Sequence, residues 1–160
     1  MLPRTRNTCP RLWRKTANVE KNVIIDTGPI VALLIARDQH HKWALGEWAQ
    51  IKPPFLSCEA VLSEAQHIIR RLGGDPLVVL EFVHRGIFQI SFQAAPEIDA
   101  LLKLERTYAD VPMSLADACL VRMSELAPRC RVMTTDSDFL NYRRNRRQLI
   151  PVICPPSFRQ

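Results

Sequence analysis

The run Val-Ile-Ile-Asp at residues 23–26 constrains the fold more than any other stretch. Three consecutive β-branched residues predict a strand over 22–27, and the lack of alternation means that both of its faces must be buried. A strand covered on both faces belongs inside a sheet, with helices above and below it. Gly28 and Pro29 follow at once, and proline is favoured at the first position of a helix, so PIVALLIAR (29–37) predicts the first covering helix.

The same alternation continues along the chain. HHKWALGEWAQI (40–51) reads as an amphipathic helix with Trp43, Leu45 and Trp48 inward, broken by Pro53 and Pro54. PFLS (54–57) is a short strand, and CEAVLSEAQHIIRRL (58–72) a helix ended by Gly73 and Gly74. Asp75 and Pro76 cap a helix over 76–85 that Gly86 closes, and IFQISF (87–92) is a strand. Pro96 opens a long helix over 97–110, and Ser114 opens another over 114–127 with an S-x-x-D capping pattern. RVMTTD (131–136) is a strand, SDFLNYRR (137–144) a short helix and LIPVIC (149–154) the last strand. Such alternation predicts right-handed crossovers and an α/β fold of three layers, a central, mainly parallel β-sheet flanked by α-helices.

A chain of 160 residues suits one domain with its own core. We place that domain at 22–154, preceded by a flexible basic N-terminal extension over 1–21 and followed by a C-terminal tail over 155–160. The first 20 residues are basic, carry two prolines and lack the apolar segment of a secretory leader. Five scattered cysteines (Cys9, Cys58, Cys119, Cys130, Cys154) with no CxxC pair predict reduced thiols in a cytoplasm. No run approaches the roughly 20 apolar residues of a membrane span, so no membrane is expected. A net charge of +6 and a pI near 9.4 favour a polyanionic partner.

In an open parallel sheet, ligands bind beyond the carboxyl ends of the strands. Asp26 ends the strand VIID and Asp136 ends VMTTD, so neighbouring strands would put both carboxylates on one edge. Asp136 can also cap the short helix behind it. Glu64 falls within an apolar sector formed by Ala60, Val61, Ala65, Ile68 and Leu72. A charge there is costly unless it pairs with a base or binds a metal. Asp117, in the first turn of its helix, can serve as the capping carboxylate and still point past the helix end into the same cleft.

Four acids on one edge would repel one another, and a divalent cation resolves that repulsion. All-oxygen ligation suits magnesium or manganese. No histidine is placed to suggest zinc: His40 and His41 read as surface residues, His67 and His84 as packing or surface residues.

At this point the acids in VIIDTGPIVALL, CEAVLSEA, SLADACLVRMSE and TTDSDF carry a resemblance. Their order is similar to that of the PIN-domain family, especially the VapC-type toxin ribonucleases, over residues 22–154. The resemblance implies a PIN-like fold and an acidic pocket that binds magnesium or manganese and cuts RNA phosphodiester bonds. Asp26, Glu64 and Asp117 match the three central acids, Asp136 the fourth, and Asp138 the second acid of the TTDSDF pattern, whose role varies. It also implies a homodimer, and a small antitoxin that occupies the cleft with a basic side chain among the acids.

Within that frame Asp26 and Asp117 are the leading metal ligands, Glu64 a further ligand or the group that orients the attacking water, and Asp136 completes the shell. Arg143, Arg144, Arg146 and Arg147 would hold the RNA backbone, with Thr134, Thr135 and Ser137 donating to phosphate oxygens. A solvated basic turn is the structural alternative for the arginines. A phosphatase using an aspartyl-phosphate would want a second acid at position 28, where this chain has Gly28. A phosphorelay receiver would want a lysine late in the sheet, which LIPVIC does not offer. The remaining rivals are a housekeeping RNA-processing nuclease and a nucleic-acid-binding or partner-docking module with an inert acidic pocket.

Overall fold

A computed structural model describes residues 23–111 and 113–159; the extension expected over 1–21, with Cys9, lies outside them. The expected α/β architecture is present. Five parallel strands form the central sheet in the order β3-β2-β1-β4-β7: β1 (Val23–Ile25), β2 (Phe55–Ser57), β3 (Phe88–Ile90), β4 (Arg131–Met133) and β7 (Val152–Ile153). Flanking it are α1 (Thr27–Leu34), α2 (His41–Trp48), α3 (Glu59–Arg71), α4 (Leu77–His84), α5 (Ile98–Thr107) and α6 (Leu115–Leu126).

The central position of β1 follows from its apolar run. Ile24 registers against Leu56 on one side and Val132 on the other, and Val23, Ile24 and Ile25 are all buried. Ile30, Val61, Ile69, Leu120 and Met123 bring the helices onto the sheet. Burial of such side chains is the main driving force for the fold, each contributing about 1.5–3 kcal/mol. At one side Trp48 stacks on Phe55 at 4.5 Å, and Phe82 and Phe88 close an aromatic cluster around the pair. The four described cysteines are buried and unbridged.

Several elements depart from the sequence reading. The helix after β1 starts at Thr27, which puts Pro29 at its third position; the first turn needs no proline N–H, so nothing is lost. Leu45, expected inward, is 46% exposed, because Ala44 and Trp48 occupy the inner face of α2. The segment read as a helix over 137–144 is one 3₁₀ turn, Ser137–Leu140, followed by β5 (Arg143–Arg144).

The strand read over 149–154 is two strands. Leu149 belongs to β6 (Gln148–Leu149), antiparallel to β5, while Val152–Ile153 joins the main sheet beside β4. Pro151 separates them: it has no N–H for a ladder, though its carbonyl accepts from Val132 N at 2.9 Å. The hairpin is thus a small second sheet attached to the end of the TTDSDF loop.

Candidate acidic active site

Asp26 stands one residue beyond β1, and its amide donates to the Met133 carbonyl at 3.0 Å, which extends the β1–β4 pairing to the sheet's carboxyl edge. Its backbone is extended, as an N-cap requires, and Oδ1 accepts from the Thr27 amide at 2.6 Å. Oδ2 accepts from Thr134 Oγ1 at 2.7 Å. The side chain is only 5% exposed. Burial disfavours its charged form and pushes its pKa up to about 7 against the pull of both hydrogen bonds, with Asp117 and Asp136 adding to the rise.

The loop after β4 is built around the same residue. Thr134 Oγ1 donates to Asp26 and accepts from the Asp136 amide at 2.9 Å, so one hydroxyl ties the ends of two neighbouring strands together. Asp136 in turn caps the 3₁₀ turn, accepting from the Asp138 amide at 2.9 Å. Gly28 lets α1 approach this loop: a Cβ at Gly28 would lie 1.9 Å from Thr135 Oγ1. The sequence marks Gly28 as a helix opener and as the place where a phosphatase would carry an acid, and neither points to this contact. The position of Gly28 directly after the strand-end acid and Thr27 was the available signal.

Asp117 closes a full capping box at the head of α6. Its Oδ2 accepts from the Ser114 amide at 2.9 Å while its own amide donates to Ser114 Oγ at 3.1 Å. Burial raises its pKa, the Ser114 hydrogen bonds oppose this, and Asp136 and Glu64 raise it further.

Glu64 is not enclosed in the apolar sector as expected. Val61, Leu62, Ala65 and Ile69 form the buried stripe of α3, and Glu64 is exposed beside it. The partner of Glu64 Oε2 is the buried Thr27 hydroxyl at 2.8 Å, not a base. Both described ion pairs lie elsewhere, on Arg122.

The acids therefore share one electrostatic field. Asp117 and Asp136 act on Asp26, and Asp136 and Glu64 act on Asp117. Tyr142 lies in it too: burial first, then Asp117, Asp138 and Asp136, keep its phenol protonated well above the ordinary range. Yet among the described residues no three His, Cys, Asp or Glu side chains form a ready-made metal cage. Each of these carboxylates has a local partner, Asp117 in Ser114, Asp136 in Asp138 and Glu64 in Thr27. In donor chemistry the set fits a hard divalent cation. It consists of carboxylate oxygens, each with lone pairs beyond the one hydrogen bond it accepts.

The arginines divide into two groups. Arg143 Nη1 donates to the carbonyls of Leu140, Asn141 and Tyr142 at 2.7, 2.8 and 2.9 Å. Arg144 Nη1 donates to the Pro128 carbonyl at 2.9 Å and to that of Ser124 at 3.5 Å. Arg143 thus braces the turn that leads into the hairpin, and Arg144 ties the hairpin to the end of α6. Arg146 and Arg147 are exposed at the tip of the hairpin, where Asn145 (φ 49°) and Arg146 (φ 68°) adopt left-handed backbone.

The Asn145 amide donates to Glu125 Oε1 at 2.8 Å. Glu125 lies eight residues beyond Asp117 on α6, so the tip stands roughly 12 Å along that helix from the acids, at 1.5 Å per residue. Of the expected phosphate donors, Thr134 has its only hydroxyl proton on Asp26, whereas Thr135 is half-buried and Ser137 exposed.

No helix among the described residues is long and apolar enough to cross a membrane. A family model described as PIN domain matches residues 23–145, a span that holds Asp26, Glu64, Asp117, Asp136 and Asp138. No curated protein matches the chain.

Proposed function

The chain belongs to the PIN-domain family, whose members are generally nucleases, and from that premise we propose a magnesium- or manganese-dependent endoribonuclease that serves as the VapC-type toxin of a toxin–antitoxin pair. The observation that carries this reading is Asp26: a buried carboxyl at the carboxyl edge of a parallel sheet, poised near neutrality and within the field of Asp117 and Asp136. Structural carboxylates gain from being charged, whereas this one is held where a neighbouring cation would restore its charge.

Asp26 and Asp117 would hold the cation, with Asp136 completing the shell and Asp138 in reserve. A divalent cation bound there would supply charge neutralisation for the phosphodiester and a more acidic water. Thr134 and Thr27 fix the orientation of Asp26 through its two oxygens. Glu64, exposed at the rim with Oε2 held by Thr27, is suited to orient the attacking water and take its proton at Oε1. Arg146 and Arg147, at roughly 12 Å along α6, would contact backbone phosphates flanking the cut, since consecutive phosphates of an extended strand are spaced by several ångströms.

For partners, the reading includes a homodimer and a small antitoxin that places a basic side chain among the acids. Leu77 and Leu80, 61% and 51% exposed on one face of α4, are apolar surface that a protein partner would cover. One observation favours a second reading, a binding module with an inert acidic pocket: the acids do not already form a metal cage among the described residues. A housekeeping nuclease differs only in its biology. Sequencing of RNA ends after brief expression of wild type and Asp26→Asn tests all of these. Discrete new ends with wild type alone support the enzyme, identical end profiles support the inert module, and cuts confined to precursor RNAs favour processing.

A further inference from the structure

Tyr142 is fully buried, its ring edge-on to Phe139 at 5.3 Å and to Tyr108 at 5.0 Å. Packing explains the ring. It does not explain the hydroxyl, which is buried and without a hydrogen-bond partner among the described residues. A phenylalanine would fill the same space with no polar atom to desolvate, so the hydroxyl is a cost to the fold as it stands. Tyr108 provides the contrast: its hydroxyl accepts from the Arg143 amide at 2.8 Å and helps seat the hairpin.

The surroundings of the Tyr142 hydroxyl identify what it would bond. The carboxylates that help to keep it protonated are Asp117 first, then Asp138 and Asp136. A phenol is both donor and acceptor, but among carboxylates only its O–H is useful. Asp117 has Oδ2 on the Ser114 amide, which leaves Oδ1 for the pocket.

We propose that Tyr142 is a positioning residue whose hydroxyl donates to Asp117 Oδ1 when the acids draw together around a divalent cation. The inference rests on the metal-dependent reading of the site and adds a residue to it. One end of Asp117 is then held by the helix cap and the other by Tyr142, and the carboxylate presents a fixed orientation to the cation. Hydrogen bonds of this kind behind a ligand typically change metal affinity by 10- to 100-fold. With a cation bound, the hydroxyl would gain the partner it lacks among the described residues, which would couple closure of the pocket to the cation.

The test is a magnesium titration of thermal stability, without RNA, on wild type, Tyr142→Phe and Tyr108→Phe. Tyr142→Phe is expected to melt in EDTA at a temperature equal to or above wild type, and to need about tenfold more magnesium for half of the full stabilisation. Tyr108→Phe is expected to lose stability equally in EDTA and in magnesium, with an unchanged half-saturation point. A Tyr142→Phe protein that saturates within twofold of wild type, or loses stability equally in both conditions, overturns the role of Tyr142 and leaves the site reading intact. A wild type that neither magnesium nor manganese stabilises overturns both, since no loading step would remain.

Discussion

Thr134 Oγ1 donates to Asp26 Oδ2 at 2.7 Å across 108 residues of sequence, and accepts from the Asp136 amide at 2.9 Å. That hydroxyl is where the two acid-bearing strand ends become one site. It orients the most buried acid and, through its second bond, places the loop that carries the next two. Thr134→Val should therefore leave the Asp136 amide without an acceptor and Asp26 with one bond fewer. We expect a loss of about 1–3 kcal/mol in chemical denaturation, with a matching rise in the magnesium needed for stabilisation.

The raised pKa of Asp26 sets a pH dependence of definite sign. An unfolded aspartate titrates at about 4, whereas Asp26 in the fold titrates at about 7. Below about pH 4 it is protonated in both states and costs nothing; between about 4 and 7 unfolding releases a proton, so stability falls as pH rises. Above that window the full penalty is present, on the order of a few kcal/mol. Melting curves in EDTA from pH 5 to 8 should show this fall in wild type, and Asp26→Asn should be flatter, with stability equal or higher near pH 7 and above. A mutant less stable across the whole range would indicate that the charged carboxylate supports the fold.

Gly28→Ala tests the contact between α1 and the TTDSDF loop. Its methyl would lie 1.9 Å from Thr135 Oγ1 and 3.2 Å from Thr135 Cβ. One rotation of the threonine would bring its methyl into the same space, and the other would still leave its Cβ 3.2 Å away, tighter than an ordinary contact. We expect a loss of about 1–3 kcal/mol, partly restored by Thr135→Ala, which removes the nearer atom. Equal denaturation midpoints for wild type and Gly28→Ala would contradict the close approach.

The fold was legible because it depends on local patterns. VIID without alternation announced a central strand, Ser114 and Asp117 announced a capping box, and both are present. Asp26 and Asp136 could be placed on one edge because strand-end position is a property of sequence order once the sheet is parallel. Other features are made by tertiary contacts. Whether Arg143 faces solvent or three carbonyls depends on where the chain turns after Leu140. Glu64 lies at an angle on α3 that is compatible with either side of the buried stripe, and Thr27 decides which. Nothing in a lone tyrosine announces that its hydroxyl will be buried without a partner among the described residues.

The division among the arginines predicts two distinct phenotypes. Arg146→Gln with Arg147→Gln should leave stability unchanged and flatten the salt dependence of RNA binding, by a log-log slope of about 0.7 for each phosphate that is no longer neutralised. Arg143→Gln or Arg144→Gln should instead destabilise by roughly 1–3 kcal/mol, since carbonyls of Leu140, Tyr142, Ser124 and Pro128 are deprived of a charged donor. Equal effects of all four on the salt slope would place the hairpin base as well as its tip on the RNA.

If the acids around Asp26 form a metal-dependent nuclease site, the purified protein must cleave RNA. Wild type and Asp26→Asn are incubated with RNA in magnesium, in manganese and in EDTA. Wild type is expected to cut in either metal and not in EDTA, and Asp26→Asn to cut at no more than about a thousandth of the wild-type rate, which corresponds to about 4 kcal/mol of transition-state stabilisation. Full activity in EDTA, or an Asp26→Asn protein that cuts as fast as wild type, would contradict a metal-dependent site at Asp26.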